Sequence, residues 1–530
     1  MRLPRASGIL LHPTSLPGPR GIGEIGREAR SFVDFLAQTG QRWWQMLPVG
    51  PTGYGNSPYQ SHSSFAGNRL LIDPEFPIEQ GWLIPEECPD AADSDPDKVD
   101  FDAVALAKDH WLEAAFGRFD AQSSNPARDE FLEVNRVWLE DYALYSAIKD
   151  SREGRPWHQW PAPLAAREPK ALRESRAELA RRVRYHEFVQ FLFASEWKRL
   201  RAYCQEKGVM LIGDVPIFVA HDAADVWANP ELFILDEHGM PTVVAGVPPD
   251  YFSETGQLWG NPLYHWDVHA ASDYAWWTNR LRFLLRRVDL VRIDHFRGFE
   301  AYWEIPSGAT TAAPGRWAQG PGASFFETLR RTLGSLPLIA EDLGMITPSV
   351  EILRDQFDLP GMRVLQFGFG PDVGSEKHLP HRYSPHCVAY TGTHDNDTTA
   401  GWFTSTDVAT TQSAAEIEAE RAFARRYLGC GGDAIHWAMI KLAHASVADT
   451  AIAPMQDVLG QGGQARMNLP GRAAGNWGWR MRAGDLDPRD RDRLAELTAV
   501  YSRWNGPVPP AIDPHHRPAP PTNPGSPEPA

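Results

Sequence analysis

The sequence is poor in cysteine: Cys88, Cys204, Cys387 and Cys430 are the only four in 530 residues. They are widely spread, form no CxxC pair and lack the His/Cys spacing of a zinc site. A disulfide framework and a zinc module are therefore excluded as the organising feature of the chain. We expect the four cysteines to be reduced and structural, as in a cytoplasmic protein.

Long hydrophobic runs and positive charge are also lacking. No apolar run reaches the roughly 18 residues of a membrane span, and MRLPRASGILLHP offers an apolar run of only four residues, too short for a secretory signal. The formal net charge is -16. These features argue against nucleic acid, membranes and anionic surfaces, and favour a neutral or cationic partner.

Tryptophan, in contrast, is abundant, with 20 copies. Exposed aromatic rings in Gly/Pro-rich loops suit flat apolar ligand surfaces such as the C–H faces of sugars. Candidates for that role are Trp157, Trp160, Trp259, Trp402, Trp477 and Trp479. For Trp43, Trp44, Trp276 and Trp277, which lie within apolar or helical segments, packing is the better interpretation.

Eight short apolar segments predict β-strands, several of them separated by helical patterns. They span residues 7–11, 43–49, 209–215, 288–294, 336–341, 362–369, 387–391 and 450–458. Eight parallel strands with intervening helices predict an α/β fold, a closed (β/α)8 TIM barrel with its active site at the carboxyl ends of the strands. The rival is an open doubly wound sheet, but no GxGxxG turn supports it.

The barrel is expected to occupy residues 1–505, with two interruptions. Residues 60–186 predict a mostly helical inserted subdomain, with helices at 131–149 and 171–184. Residues 218–275 are rich in Pro, Gly and aromatics and predict an insertion over the active site. The Pro-rich tail, 506–530, has almost no apolar residues and is expected to be disordered.

Ionisable residues follow four of the predicted strands and are expected to meet at one rim. They are Asp214, Arg292 with Asp294, Glu341, and His394 with Asp395.

Several acids around one pocket suit two chemistries. One is metal binding by oxygen ligands; the other is retaining glycosyl transfer, which needs a nucleophile and an acid/base carboxylate about 5 Å apart. Arg292 disfavours the metal, because it would repel a cation and instead keeps a neighbouring carboxylate ionised.

Longer motifs carry a family resemblance. GDVPIFVAHDAADVWANPELF, RIDHFRGF, IAEDLG and THDNDT together resemble the 4-α-glucanotransferases, also called amylomaltases or disproportionating enzymes, of glycoside hydrolase family seventy-seven in the α-amylase clan. GVPPDYFSETGQLWGNPLYHW resembles the family's lid loop, and YGNSPYQ its early substrate-binding loop. The match runs from about residue 8 to about residue 504.

The resemblance implies a role for each matching position. Asp294 is the expected nucleophile, Glu341 the general acid/base and Asp395 the carboxylate that grips the distorted sugar. The matching glucan-binding positions are Ser57, Tyr59, Asp214, Asp250, Trp259, Arg292, His295, His394 and Asn468, with Tyr54 at a remote contact site. The implied substrates are maltooligosaccharides, amylose and other α-1,4-glucans, with glucose as an acceptor. Neither a metal nor an organic cofactor is implied.

Three alternatives stay open at this point. The same carboxylates serve an α-glucan hydrolase when water accepts the glucosyl group, and the chemistry alone does not choose between water and a sugar. A catalytically inactive glucan-binding protein has no need of all three acids. A metal-dependent barrel hydrolase is sensitive to chelation. A loop such as 246–266 that closes over the cleft and excludes water favours transfer.

Overall fold

Twelve β-strands are present in the described part of the chain. The computed structural model describes residues 2–91, 94–122, 124–249, 255–371, 374–405, 412–472, 474–509 and 512–513. The strands are β1 (Ala6–Leu10), β2 (Trp43–Gln45), β3 (Met210–Pro216), β4 (Val243–Val247), β5 (Gln257–Pro262), β6 (Leu290–Asp294), β7 (Ala301–Pro306), β8 (Arg316–Gln319), β9 (Leu338–Ala340), β10 (Gly361–Val364), β11 (Cys387–Tyr390) and β12 (Thr450–Pro454).

Eight of these strands close into a parallel barrel in the order β1-β12-β11-β10-β9-β6-β3-β2. The first and last barrel strands pair directly, with Ala6 opposite Thr450. Closure leaves no sheet edge, so the open doubly wound alternative is excluded and the predicted (β/α)8 barrel is confirmed. All eight barrel strands coincide with the predicted apolar segments, because strands buried on both faces read as continuous apolar runs.

Several strands are shorter than predicted, since an apolar run does not mark where a strand stops. The predicted run 362–369 leaves the sheet after Val364 and continues as a 3₁₀ turn at Leu365–Gly368. The run from Thr450 turns into a short helix, Met455–Val458, after Pro454. A buried turn or short helix and a buried strand both appear in the sequence as a short apolar run. The sequence alone therefore does not show where the strand ends.

Seventeen α-helices surround the barrel or build the connections within the described residues. They are α1 (Arg27–Gln38), α2 (Glu75–Glu79), α3 (Phe101–Asp120), α4 (Pro126–Ser151), α5 (Ala162–Ala165), α6 (Pro169–Glu178), α7 (Ala180–Glu206), α8 (Ala224–Ala228), α9 (Trp266–Ala271), α10 (Ala275–Arg287), α11 (Gly322–Leu333), α12 (Pro348–Gln356), α13 (Thr399–Thr404), α14 (Ala414–Leu428), α15 (Ile435–Ala445), α16 (Met455–Val458) and α17 (Pro488–Val500).

The connection between β2 and β3 is mainly helical and contains α2 to α7. Phe131 of α4 packs on Phe191 of α7, with ring centroids 5.8 Å apart. The predicted helix 171–184 is wrong as a single element, because the chain breaks at Leu179 and the second part continues into α7. One long helix thus links the predicted insertion 60–186 to the barrel, and the boundary at residue 186 stays a prediction.

A second, antiparallel sheet has the order β5-β4-β7-β8. Two of its strands come from the predicted insertion 218–275, while β7 and β8 follow β6 and were not predicted. Residues 250–254 of that insertion lie outside the described residues, as do 510, 511 and 514–530 of the predicted tail. No helix in the described ranges is both long enough and apolar enough to cross a membrane.

Four of the six tryptophans proposed as exposed sugar-contact surfaces are buried instead. Trp157 and Trp160 donate their indole N–H groups to His221 and Arg155 carbonyls, and Trp477 and Trp479 are buried beside the barrel. Trp259 and Trp402 are half-buried. Position in a Gly/Pro-rich loop does not predict exposure when the loop itself packs on the barrel. Trp43, Trp44 and Trp277 are buried, as the packing interpretation predicts.

Candidate active site

Arg292 joins two carboxylates at the carboxyl end of the barrel. The register of β3 and β6 sets Asp214 beside Arg292. The Arg292 guanidinium nitrogen Nη1 lies 2.8 Å from Asp214 Oδ2 and 2.8 Å from Asp294 Oδ1. Asp214 and Arg292 are buried, whereas the Asp294 side chain is 27% exposed. The ion pair therefore holds one carboxylate inside the barrel and leaves the other accessible from the cleft.

Glu341 directly follows β9 and is fixed from both sides. Its Oε2 accepts a hydrogen bond from the backbone N–H of His295 at 2.6 Å, and its Oε1 accepts one from Leu343 at 2.9 Å. Burial raises the pKa of Glu341 to about 8, and Asp294 adds to the shift, while Arg292 and the two backbone N–H groups oppose it. Burial is the largest of these contributions to the pKa of Glu341.

Asp395 lies in the loop after β11 and is held by a neighbouring loop. Asn468 Nδ2 donates to Asp395 Oδ1 at 2.6 Å, and His394 Nε2 lies 3.4 Å from the same oxygen. The side chain of Asp395 remains 46% exposed. An oriented and accessible carboxylate of this kind suits a role in gripping hydroxyl groups of a ligand.

Arg466 links these two loops and was missed in the sequence. Its Nη2 donates to the Asp395 carbonyl at 2.6 Å, and its Nε donates to the Asn468 carbonyl at 2.7 Å. Its contacts are made to backbone oxygens, which any residue type supplies, so no side-chain pattern reveals them. The available signal was weaker: Arg466 follows β12 in a Gly-rich segment at the same rim as the acids.

Two histidines line the site in the neutral form. Burial lowers the pKa of His295 to about 3 and also lowers the pKa of His394. His295 Nε2 is buried without a hydrogen-bond partner among the described residues. His295 also has a left-handed backbone, with φ of 52°. His295 Nε2 therefore keeps an unused hydrogen-bonding capacity at this rim.

Aromatic rings pack on both histidines. Tyr59 stacks on His394 with centroids 5.1 Å apart, and its hydroxyl donates to Asp214 Oδ2 at 2.8 Å. Trp259 meets His295 edge to face at 4.8 Å. Tyr59 therefore connects the buried ion pair to the Asp395 loop, and Trp259 connects the β5 segment to the residue after Asp294.

The remaining predicted residues lie apart from this cluster or outside the described chain. Ser57 accepts a hydrogen bond from the Tyr59 backbone at 3.3 Å and belongs to the same loop. Tyr54 is 78% exposed and has no ring contact or side-chain hydrogen bond among the described residues. Asp250 lies outside the described residues.

Within the described ranges, no three His, Cys, Asp or Glu side chains are grouped as metal ligands.

The fold and the rim together define a (β/α)8 barrel protein with an acidic candidate active site at the carboxyl ends of its strands. Comparisons with known proteins agree. The family model described as 4-alpha-glucanotransferase matches residues 11–486. The chain is 51% identical to the 4-alpha-glucanotransferase of Thermus thermophilus, covering 95% of this chain and 100% of the relative. It is 48% identical to that of Synechocystis sp., covering 94% of this chain and 98% of the relative.

A solved structure of an amylomaltase is also similar to this chain. The amylomaltase from Streptococcus agalactiae, in complex with acarbose, is similar with a TM-score of 0.90 and 40% identity, covering 94% of this chain and all of that chain. The chain therefore belongs to the 4-α-glucanotransferase family. The predicted family resemblance is confirmed over nearly the whole sequence.

Proposed function

We propose that this protein transfers a segment of an α-1,4-glucan to the 4-hydroxyl group of an acceptor glucan or of glucose, with retention of configuration. The observation that carries the proposal is the pairing of Asp294, bound to Arg292, with Glu341, whose pKa is raised to about 8. A retaining double displacement needs these two states at once: an ionised nucleophile and a protonated acid.

In the first half-reaction, Asp294 attacks the anomeric carbon while Glu341 gives its proton to the departing glycosidic oxygen. The leaving chain carries the proton away as a 4-hydroxyl group, and the donor segment stays bound to Asp294 as a β-linked ester. The exposed position of Asp294 beside Arg292 and the raised pKa of Glu341 support these roles.

In the second half-reaction, ionised Glu341 accepts the proton of the acceptor 4-hydroxyl group. The acceptor oxygen attacks the anomeric carbon and releases Asp294, which restores an α-1,4 bond. Two inversions give net retention, and no redox step or cofactor takes part.

Asp395, with His295 and His394, is proposed to bind hydroxyl groups of the distorted sugar. Asn468 orients the Asp395 carboxylate from one side, and the unpaired Nε2 of His295 offers a further polar contact. Positive charge builds up on the sugar ring in the transition state, so fixed negative charge near it lowers the barrier.

The accepting group decides between transfer and hydrolysis. Trp259 and the described residues around it are proposed to cover the cleft, exclude water and offer surface to an acceptor sugar. Asp250, which lies outside the described residues, is proposed to bind the glucan chain. Tyr59 and Ser57 are proposed to bind the chain on the other side, and Tyr54 to bind it at a distance. The amylomaltase of Streptococcus agalactiae, whose structure contains acarbose, supports binding of an oligosaccharide here.

Incubation with maltotriose and no added cofactor tests the proposal. Chromatography resolves the products while reducing ends are counted. A ladder of longer maltooligosaccharides plus glucose, at constant reducing-end count, is the expected result. Maltose and glucose with a rising count mean that water is the acceptor. No change in the substrate would favour a glucan-binding protein without catalysis.

Exhaustive chelation separates this mechanism from a metal-dependent barrel hydrolase. The protein is dialysed against EDTA, and the same maltotriose assay is repeated with and without added Mg²⁺ or Ca²⁺. We expect unchanged activity, because the proposed steps use only the carboxylates. Loss on chelation with recovery on adding the ion would favour the metal enzyme.

The acidic chain, with Cys88, Cys204, Cys387 and Cys430 all unpaired, supports a cytoplasmic location. The helical segment 60–186 and the segment 218–275 are proposed to be insertions into one catalytic barrel.

A further inference from the structure

A cavity lined by Arg280, which is buried, and Arg287, which is half-buried, lies between α10, the loop after β2 and the end of β3. The volume open to the centres of water-sized spheres is about 60 Å³, and the cavity is partly open to solvent. The residues that matter here are Arg280, Leu284, Arg287, Ser61, Ser63 and Ser64. Tyr59 and Asp214 also line it, but neither arginine bonds to a residue of the proposed glucan site.

Neither arginine has a carboxylate partner within 4.0 Å among the described residues. Arg280 is only 3% exposed, and its Nε has no hydrogen-bond partner there. Its Nη1 makes two long hydrogen bonds, 3.4 Å to the Ile217 carbonyl and 3.5 Å to the Tyr264 hydroxyl. A buried guanidinium with unused donors is costly unless a ligand completes it.

The guanidinium group of Arg287 is contacted by aromatic rings and not by hydrogen-bond acceptors of the described residues. Its guanidinium stands 4.3 Å from the ring centroid of Phe283 and 5.2 Å from that of Phe193. No side-chain hydrogen bond of Arg287 occurs among the described residues. Burial lowers the pKa of Arg287 to about 9. The aromatic rings accommodate the flat faces of the cation, and its N–H edge remains free for an anion.

The two arginines lie on one face of α10. They are separated by two helical turns, with Leu284 between them, and their Cα atoms are about 10.5 Å apart along the axis. Ser63 adds a donor, because its Oγ accepts from the N–H groups of Phe65 and Ala66 and its own hydrogen is uncommitted. The cavity thus presents two cations and a hydroxyl donor.

The nearby acids do not neutralise these cations. Asp214 is already bound by Arg292 and by the Tyr59 hydroxyl. Asp225 interacts electrostatically with Arg280 from beyond ion-pair distance and accepts the Ser64 backbone N–H at 2.8 Å. Burial raises the pKa of Asp225 to about 6, and its carboxylate is held by the Ser64 backbone rather than by either arginine.

We propose that this cavity binds a phosphate-type dianion, either inorganic phosphate or the phosphate group of a small monoester. Two guanidinium groups match its charge, and their forked donors match the geometry of phosphate oxygens. Neither arginine is among the proposed glucan-binding residues, although Tyr59 and Asp214 line both sites. The test of the phosphate site requires no activity.

Isothermal titration calorimetry at constant ionic strength tests the proposal on the full-length protein. Inorganic phosphate probes the free anion, and methyl phosphate probes a monoester. The variants are Arg280→Gln and Arg287→Gln. Arg286→Gln is the matched control, since Arg286 is exposed on the same helix and loses the same charge.

We expect one phosphate site per chain in the wild type and at least tenfold weaker binding in each cavity variant. The Arg286→Gln control should keep wild-type affinity. Tighter binding of methyl phosphate identifies a monoester as the ligand, and tighter binding of inorganic phosphate identifies the free anion. Arg280 also packs on Trp276 and Trp277, so Arg280→Gln is the variant whose folding is at risk. If it does not fold, phosphate binding by Arg287→Gln decides the test. No binding, or equal binding by wild type and cavity variants, overturns the proposal.

Discussion

The carboxylate of Glu341 accepts a hydrogen bond, 2.6 Å long, from the backbone N–H of His295. His295 is the residue that directly follows Asp294, so the proposed acid/base is tied to the strand that carries the proposed nucleophile. A second link runs through the Glu341 backbone N–H, which donates to the Ile293 carbonyl at 3.1 Å. The relative position of the two carboxylates is thus set by backbone bonds between neighbouring barrel segments.

Removal of any one proposed catalytic carboxylate should abolish most activity while the protein stays folded. Asp294→Ala, Glu341→Ala and Asp395→Ala are each expected to lower maltotriose turnover by several orders of magnitude, because such groups act as a unit. Circular dichroism checks the fold. Asp267→Ala, which removes an exposed acid on α9, should keep wild-type turnover. Normal turnover in a folded carboxylate variant would remove that residue from the mechanism.

The pH profile of kcat/KM should report the protonation of Glu341. Its raised pKa keeps the carboxyl protonated below about pH 8, as a general acid requires. We therefore expect kcat/KM to fall as the pH rises through about 8. Glu341→Gln should show no such limb in its residual activity. An unchanged high-pH limb in that variant would assign the titration to another group.

Arg292 is expected to be a major determinant of stability. Arg292→Met leaves Asp214 and Asp294 without their shared cation, and loss of one partner from a buried ion pair costs about 3–5 kcal/mol. Urea unfolding at pH 7 measures the loss. Adding Asp214→Asn should restore part of it, because a neutral amide needs no counterion. Arg173→Met, at an exposed position, serves as the control and should match wild type. A single Arg292 variant as stable as wild type contradicts this account.

Tyr54 should affect long substrates only. It is 78% exposed, so Tyr54→Ala should change the free energy of unfolding by less than about 0.5 kcal/mol. We expect KM for amylose to rise several-fold and KM for maltotriose to stay constant, since a short glucan does not reach a remote contact. Leu106→Ala, a similarly exposed change on α3, should alter neither constant. A rise for both substrates would locate Tyr54 in the main cleft.

The eight barrel strands were predictable because each is buried on both faces and therefore continuously apolar. The antiparallel sheet was not, since β7 and β4 are separated by β6 and pair through contacts that no local pattern encodes. The rim acids were predictable from their position after apolar runs, and their individual roles came from the family resemblance. Arg466 was missed because it acts on carbonyl oxygens, and the exposure of Trp157 and Trp477 was misjudged because loop packing is not visible in sequence.

The pairing of β1 with β12 also has a consequence during translation. Ala6 is synthesised long before its partner Thr450, and at about 5–20 residues per second the interval is roughly 20–90 s. Throughout that time β1 exposes an open strand edge and an apolar surface. The closing strand is thus supplied last, and truncation before Thr450 removes the strand that joins β1 to β11.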